Sequence, residues 1–223
     1  MTLGPITGRT AVVLSGVEAG EAVATSGNFL IDSQMQLAGK PSLIDPTRAI
    51  AMDEAADEGP LQAEAIDVQP IAGETGTELE AMYQAYFTVQ SRLAADKTVT
   101  EEEAQALHTS AVALSGEQVD ATIRERAAEI ATASEHLHHL DLDDARLHFK
   151  TISREITLLA FSARGEGAEE PIIHFYCPMV VDGGGDWLQL EDRLANPYFG
   201  SEMLRCGEHV HTLPPVGSPA EAE

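Results

Sequence analysis

Basic residues are scarce in this chain: 13 Lys and Arg stand against 37 Asp and Glu, giving a formal charge of −24 and an isoelectric point near 4.5. A surface of that sign repels phosphate backbones, which excludes nucleic acid as a partner, and disfavours anionic membrane surfaces. It suits a protein that attracts cations, and it equally serves solubility. No run of about 20 apolar residues occurs, so no membrane span is expected. Residues 1–9 lack the charged and apolar regions of a secretory signal, so the chain taken literally stays in the cytoplasm. Catalytic signatures are missing as well: there is no Gly-x-Ser-x-Gly, His-Glu-x-x-His or dinucleotide fingerprint. Cys177 with His174 is a conceivable nucleophile pair, but residues three apart on a strand point to opposite faces. A thiol oxidoreductase would usually carry Cys-x-x-Cys. The expectation is a protein that is not an enzyme.

Cysteine is nearly absent, and its placement organises the reading. The two cysteines are Cys177, in Cys177-Pro178-Met179, and Cys206, in Met203-Leu204-Arg205-Cys206. Each therefore has a methionine two or three residues away. Thiolates and thioethers prefer soft d10 ions, Cu(I) first among them. If the two halves meet, Cys177, Met179, Met203 and Cys206 form a Cu(I) or Ag(I) site, with His174 as a weaker nitrogen donor. Pro178 makes the first half a rigid elbow, and the turn-forming Asn196-Pro197-Tyr198-Phe199-Gly200 returns the second half toward it. Tyr176, Trp187, Tyr198 and Phe199 would shield such a site, or simply form a small core. Three plainer readings stand beside it: a Cys177–Cys206 disulfide, methionines that only fill a core, and a Zn site, whose usual closed ligand sets this pattern does not match.

Histidines give a second candidate patch. His136, His138 and His139 lie near the end of a helical segment, with His136 and His139 on one face and His148 early in the next segment. His136, His139 and His148 are secondary metal candidates, weighed against capping of a helix C-terminus. His209 and His211 stand two apart in the tail.

A chain of 223 residues accommodates one large domain or two small ones, and two unequal parts are expected. Segments 10–14 and 21–26 are β-prone, joined by a connector with Gly16 and Gly20. Segment 28–37 has helical spacing and ends before Gly39 and Pro41. Prolines 41, 46, 60 and 70, with many acids and no aromatics, mark an extended acidic linker. Four helical patterns follow. The first carries Leu79, Met82, Tyr83, Tyr86, Val89 and Leu93; the second opens on a capping box at Thr100 and continues through Leu107 and Leu114. The third carries Val119, Ile123, Ala127, Ile130 and Leu137, and the fourth starts at Asp141 and runs through Phe149, Ile152 and Ile156. Short connectors imply antiparallel neighbours. Residues 171–179 read as a strand, and the glycine run at 183–185 reads as a hairpin turn rather than a phosphate loop, since no Lys-Ser/Thr pair follows and the flanking acids repel phosphate.

Two stretches resemble known families. Leu14-Ser15-Gly16-Val17, Gly20-Glu21 and Ser26-Gly27-Asn28-Phe29-Leu30-Ile31-Asp32-Ser33 resemble the last strands of the membrane-proximal domain in periplasmic adaptors, the membrane fusion proteins of heavy-metal RND efflux pumps, with the copper/silver branch closest. Residues 143–153, Cys177-Pro178-Met179, Asp186-Trp187-Leu188, Asn196-Pro197-Tyr198-Phe199-Gly200 and Met203-Leu204-Arg205-Cys206-Gly207 resemble a helical domain of uncharacterised function, found alone in some exported bacterial proteins and also appended to copper-type adaptors. The resemblances imply a mainly α fold: an antiparallel helical bundle with a small β/loop C-terminal subdomain, preceded by a short β-rich adaptor remnant and a linker. Its expected parts are a membrane-proximal-like segment at 1–45, an acidic linker at 46–76, the bundle at 77–164, a Cys/Met tail subdomain packed on it at 165–211, and a disordered tail at 212–223. The implied location is periplasmic and the implied partners are an RND pump and other adaptor subunits; without a signal peptide, the chain reads as a fragment or a miscalled start. The implied function is capture of Cu(I) or Ag(I) and its hand-over to the pump or a chaperone. The alternative is a disulfide-closed helical interaction module without metal.

Overall fold

In the computed structural model of the protein, residues 2–7, 10–15, 59–62, 66 and 68–216 are described. The chain divides into two units, Met1–Glu54 and Ala55–Glu223. In the first, strands β1 (Thr2–Thr7) and β2 (Thr10–Ser15) pair as an antiparallel hairpin. The β-prone 10–14 is thus a strand, and its partner precedes it; the expected segments 21–26 and 28–37 lie outside the described residues.

The second unit is mainly helical with a small sheet region. Strand β3 (Gln69–Ile71) leads into α1 (Gly73–Ala94), followed by α2 (Glu101–Leu114), α3 (Ala121–Ser134), a 3-10 turn at Leu137–His139, and α4 (Leu142–Ala160). Strands β4 (Ala163–Gly165), β5 (Ile172–Cys177), β6 (Gly185–Gln189) and β7 (Glu208–Leu213) complete it, with a 3-10 turn at Gly200–Glu202. Successive helices pack on one another. Their apolar stripes meet in one core that includes Leu79, Met82, Tyr86, Leu107, Ile130, Phe149 and Ile156, all with no exposed surface. The Thr100 hydroxyl accepts from the Glu103 amide while Glu103 accepts from the Thr100 amide, closing the expected capping box. Asp141 caps α4 by accepting from the Asp144 amide.

Three boundaries differ from the sequence reading. The segment 46–76 read as linker contains β3, which pairs in parallel with β4, and the first turn of α1. Its prolines and acids masked a pairing that depends on a strand about ninety residues away, and no local pattern reports such a partner. The third helix is shorter at both ends: Asp120 caps its start after Val119, and it stops at Ser134, with Leu137 in the separate 3-10 turn. Nor are residues 212–216 of the expected tail disordered: Leu213 is fully buried opposite Ile172, and the Val216 amide donates to the Ala168 carbonyl; residues 217–223 lie outside the described residues. A polar, Pro-flanked edge strand carries too little alternation to be seen in sequence.

The three-stranded sheet has the order β6-β5-β7, all antiparallel. Gly183 and Gly184 belong to the β5–β6 hairpin connection, as the turn reading expected, and Gly185 opens β6 opposite Cys177. The sheet is fastened to the helices by polar bonds as well as apolar contact. The Tyr86 hydroxyl accepts from the Leu188 amide and shares a 2.6 Å bond with Ser153, and the Ser153 hydroxyl lies 2.8 Å from the Asp186 carbonyl. Arg164 on β4 makes a bidentate pair with Glu80 on α1 at 2.9 and 3.0 Å.

Candidate functional site

The two cysteines meet. Cys177 ends the central strand β5, Cys206 lies just before β7, and their Sγ atoms are 3.1 Å apart with both thiols free. Cys177 is buried and Cys206 half-buried. Burial foremost, and then the neighbouring Cys206 thiol, push the Cys177 thiol up to about 11, against weaker opposing hydrogen bonds from the Met179 amide and the Asn196 side chain. The raised value means that the protonated thiol stabilises the fold below the ordinary thiol range. That contribution is lost as pH rises toward 11.

What returns Cys206 to Cys177 is a loop organised by one buried side chain. Asn196 has no exposed surface. Its Nδ2 donates to the Cys206 carbonyl at 2.7 Å, its Oδ1 accepts from the Tyr198 amide at 2.8 Å, and its amide donates to the Leu204 carbonyl. Proline at 197 and the 3-10 turn at Gly200–Glu202 then reverse the chain, and the Cys206 amide closes a turn onto the Met203 carbonyl at 2.9 Å. Two glycines are required by position. Gly200 has φ +52 and a Cβ there would run into Asp96 and Arg146; Gly207 has φ +140 and its Cβ would stand 2.6 Å from the Trp187 ring and 2.9 Å from the Tyr176 carbonyl.

The loop is clamped onto the helices from outside. Asp96 pairs with Arg146 at 2.7 Å and accepts from the Ser201 amide at 2.9 Å, while Arg146 Nε donates to the Pro197 carbonyl at 3.0 Å. Hydrogen bonds from Ser201 first, and then from Arg146, hold the Asp96 carboxyl down at about 2.

The four sulfur residues are not equally placed. Met203 is half-buried in the turn that ends at Cys206, while Met179, in the turn after β5, leaves 59% of its surface exposed. Trp187 and Tyr198 shield the thiol side: Trp187 is fully buried, stacks on Phe175 at 5.6 Å and meets Tyr198 edge-on at 6.1 Å. His174 does not join the thiols. It lies three residues from Cys177 on β5 and so on the opposite face, where its Nε2 is held 2.7 Å from Asp186 Oδ1. His136 and His139 have ring centres 6.2 Å apart beyond the end of α3, and His148 Nδ1 lies 3.2 Å from the Ala133 carbonyl. Among the described residues no group of three or more His, Cys, Asp or Glu is arranged to hold a metal.

Two soft-ion bonds of about 2.3 Å each place a pair of sulfurs further apart than 3.1 Å, whereas a disulfide needs about 2.05 Å. The free dithiol lies between these states.

Sequence reasoning missed Asn196 as the residue that sets the site and Asp186 as the partner of His174. The available signal for Asn196 was its place at the head of the turn-forming run, where a side-chain amide mimics a backbone turn. No helix among the described residues is long and apolar enough to cross a membrane. Comparison of the chain with protein-family models, curated proteins and solved structures finds no match in any of the three.

Proposed function

We propose that this chain is a non-enzymatic, adaptor-related periplasmic component of heavy-metal efflux that carries Cu(I) or Ag(I) as cargo on Cys177 and Cys206. Met179 and Met203 are the adjoining thioether donors, and an RND pump or a chaperone is the recipient. The observation that supports it most is the juxtaposition of two free thiols, 29 residues apart in sequence, at 3.1 Å. Exposed Met179 offers an incoming ion its first soft contact, and the half-buried Cys206 turn lets the site open for exchange. Since a thiol must lose its proton to bind, and the Cys177 thiol is held at about 11, uptake releases protons and strengthens with rising pH. The helices, read as an up-down bundle, are a rigid base for the sheet and its loop.

A second reading, a disulfide-closed interaction module, is favoured by the burial of Cys177 and its raised thiol. Anaerobic Cu(I) titration of the full chain against a competing chelator separates the two. One equivalent bound by the wild type and lost in Cys177→Ser/Cys206→Ser supports the cargo site. Failure of the fully reduced protein to compete, together with an absence of free thiols in protein purified without reductant, leaves the interaction module.

A further inference from the structure

On the face of β5 opposite the thiols, two imidazoles each carry a buried nitrogen with no partner. His174 has no exposed surface, and its Nδ1 is unpartnered; on β7 directly across from it, His211 Nε2 is unpartnered as well. Asp186 Oδ1 accepts from the Leu61 amide at 3.0 Å and from His174 Nε2 at 2.7 Å. In the neutral imidazole, a carboxylate oxygen in that position makes Nε2 the protonated nitrogen and leaves Nδ1 with a bare lone pair. A buried acceptor without a donor is costly, and a native fold keeps one where something else fills it.

The register of β7 singles out this pairing. His174 opposes His211 and Phe175 opposes His209, so Val210 is an extra residue between them. Without that bulge, Val210 would stand opposite His174. Bulges of this kind re-aim a side chain beside a site. The two imidazoles have centres 5.7 Å apart and are tilted by 32°. The Phe161 ring meets each edge-on, at 5.5 and 5.9 Å, and provides a dry wall. No hydrogen bond joins the two histidines, so a shared proton does not satisfy them.

We propose that His174 Nδ1 and His211 Nε2 form a second cation site, a two-coordinate one for a monovalent d10 ion, Cu(I) or Ag(I), separate from the thiol pair. Two metal–nitrogen bonds of about 2 Å, each extended by the distance from ring nitrogen to ring centre, exceed 5.7 Å when laid end to end, so the ion would be held in a bent arrangement between the two nitrogens or the rings would part slightly. A structural zinc would demand four ligands, and the third group here, Asp186, is engaged with His174 Nε2. That engagement is the carboxylate–histidine pairing that orients a metal-binding imidazole and raises its basicity. Imidazole with no sulfur gives a harder site than the thiol pair, so the two differ in affinity for the same ion.

The test uses Ag(I), which does not change oxidation state on handling, and the full chain carrying Cys177→Ser and Cys206→Ser, labelled with 15N at histidine. Because the thiols are absent, the outcome is independent of the thiol proposal. Long-range proton–nitrogen correlation spectra should show His174 Nδ1 and His211 Nε2 shifting together and saturating at one equivalent. The half-buried His211→Phe, added to that background, should abolish the His174 shift and weaken Ag(I) binding by at least about tenfold, the scale of a lost ligand or its support. Should the cysteine substitutions unfold the chain, the wild type serves, with the same two nitrogens shifting once two equivalents are present. A His174 Nδ1 resonance that stays fixed in excess Ag(I) overturns the proposal, as does a shift that survives His211→Phe.

Discussion

The helical and C-terminal parts of the second unit share one apolar core but differ in how far buried polar bonds add to it. In the helices, a core of Leu, Ile, Met, Phe and Tyr side chains is buried on stripes of regular period. Between β5 and β7, Trp187, Leu188, Tyr198 and Leu213 extend the same core, but the chain is held as well by the buried side chains of Asn196 and Gln189, by half-buried Asp186 and by the Tyr86–Ser153 pair. Gln189 alone donates to the Glu191 and Arg193 carbonyls and accepts from the Ala195 amide. Apolar area is tolerant of shape, whereas a buried hydrogen-bond hub fails when one atom is lost. The thiol site sits in the second kind of structure. Its geometry should therefore respond to substitutions that leave the helices untouched.

The sharpest way to break this contrast is to remove one anchor from each part. Phe149, stacked on Tyr86 at 5.3 Å and fully buried, should cost about 3–5 kcal/mol when cut to alanine, and the loss should appear as global unfolding in a denaturant titration. Asn196→Ala strands the Tyr198 amide and the Cys206 carbonyl; at about 1–3 kcal/mol for each buried group left unsatisfied, it should approach that cost. Its signature is nevertheless local. Amide exchange should accelerate over residues 196–207 before the helices open, and the rate at which the two thiols cross-link should fall. Equal acceleration in the helices and the loop would mean that the two parts are one cooperative body.

Gly207→Ala sharpens the same point at smaller cost. Its Cβ meets the Trp187 ring at 2.6 Å, so Trp187 emission should shift and thiol pairing should weaken while the helical circular dichroism stays constant. Tyr86→Phe then measures the seam between the parts. Removing its hydroxyl leaves the Leu188 amide without an acceptor, a loss of about 1–3 kcal/mol read from the melting curve.

Acid gives the smallest effect and probes the outer clamp. The Asp96 carboxyl is held at about 2, below its unfolded value, so its contribution is present above the unfolded carboxylate range and disappears as pH falls through about 2. Asp96→Asn should flatten that limb of the stability profile while the helical circular dichroism at neutral pH stays constant.

The same division explains what could be read in the sequence. Leu79, Met82, Tyr83, Tyr86, Val89 and Leu93 repeat at helical spacing and are all buried, and the Thr100 capping box forms as its pattern predicts. The meeting of Cys177 and Cys206 was legible only as a condition. Two matched motifs say that sulfur is gathered if the chain returns, and the return depends on Asn196, whose partners Tyr198, Gly200, Leu204 and Cys206 lie elsewhere in the loop. His174 was legible as a ligand type but not as a neighbour of His211, because a one-residue bulge in β7 decides that pairing. The β3–β4 pairing was hidden for the same reason: it rests on contact between distant segments rather than on local pattern.

The most direct test of the central claim is copper-edge X-ray absorption on the full chain loaded anaerobically with one equivalent of Cu(I). The account predicts a first shell dominated by sulfur, with at least two scatterers near about 2.3 Å, the length of a metal–thiolate bond, and loss of that shell in Cys177→Ser/Cys206→Ser. A shell of nitrogen and oxygen alone in the reduced wild type would contradict it.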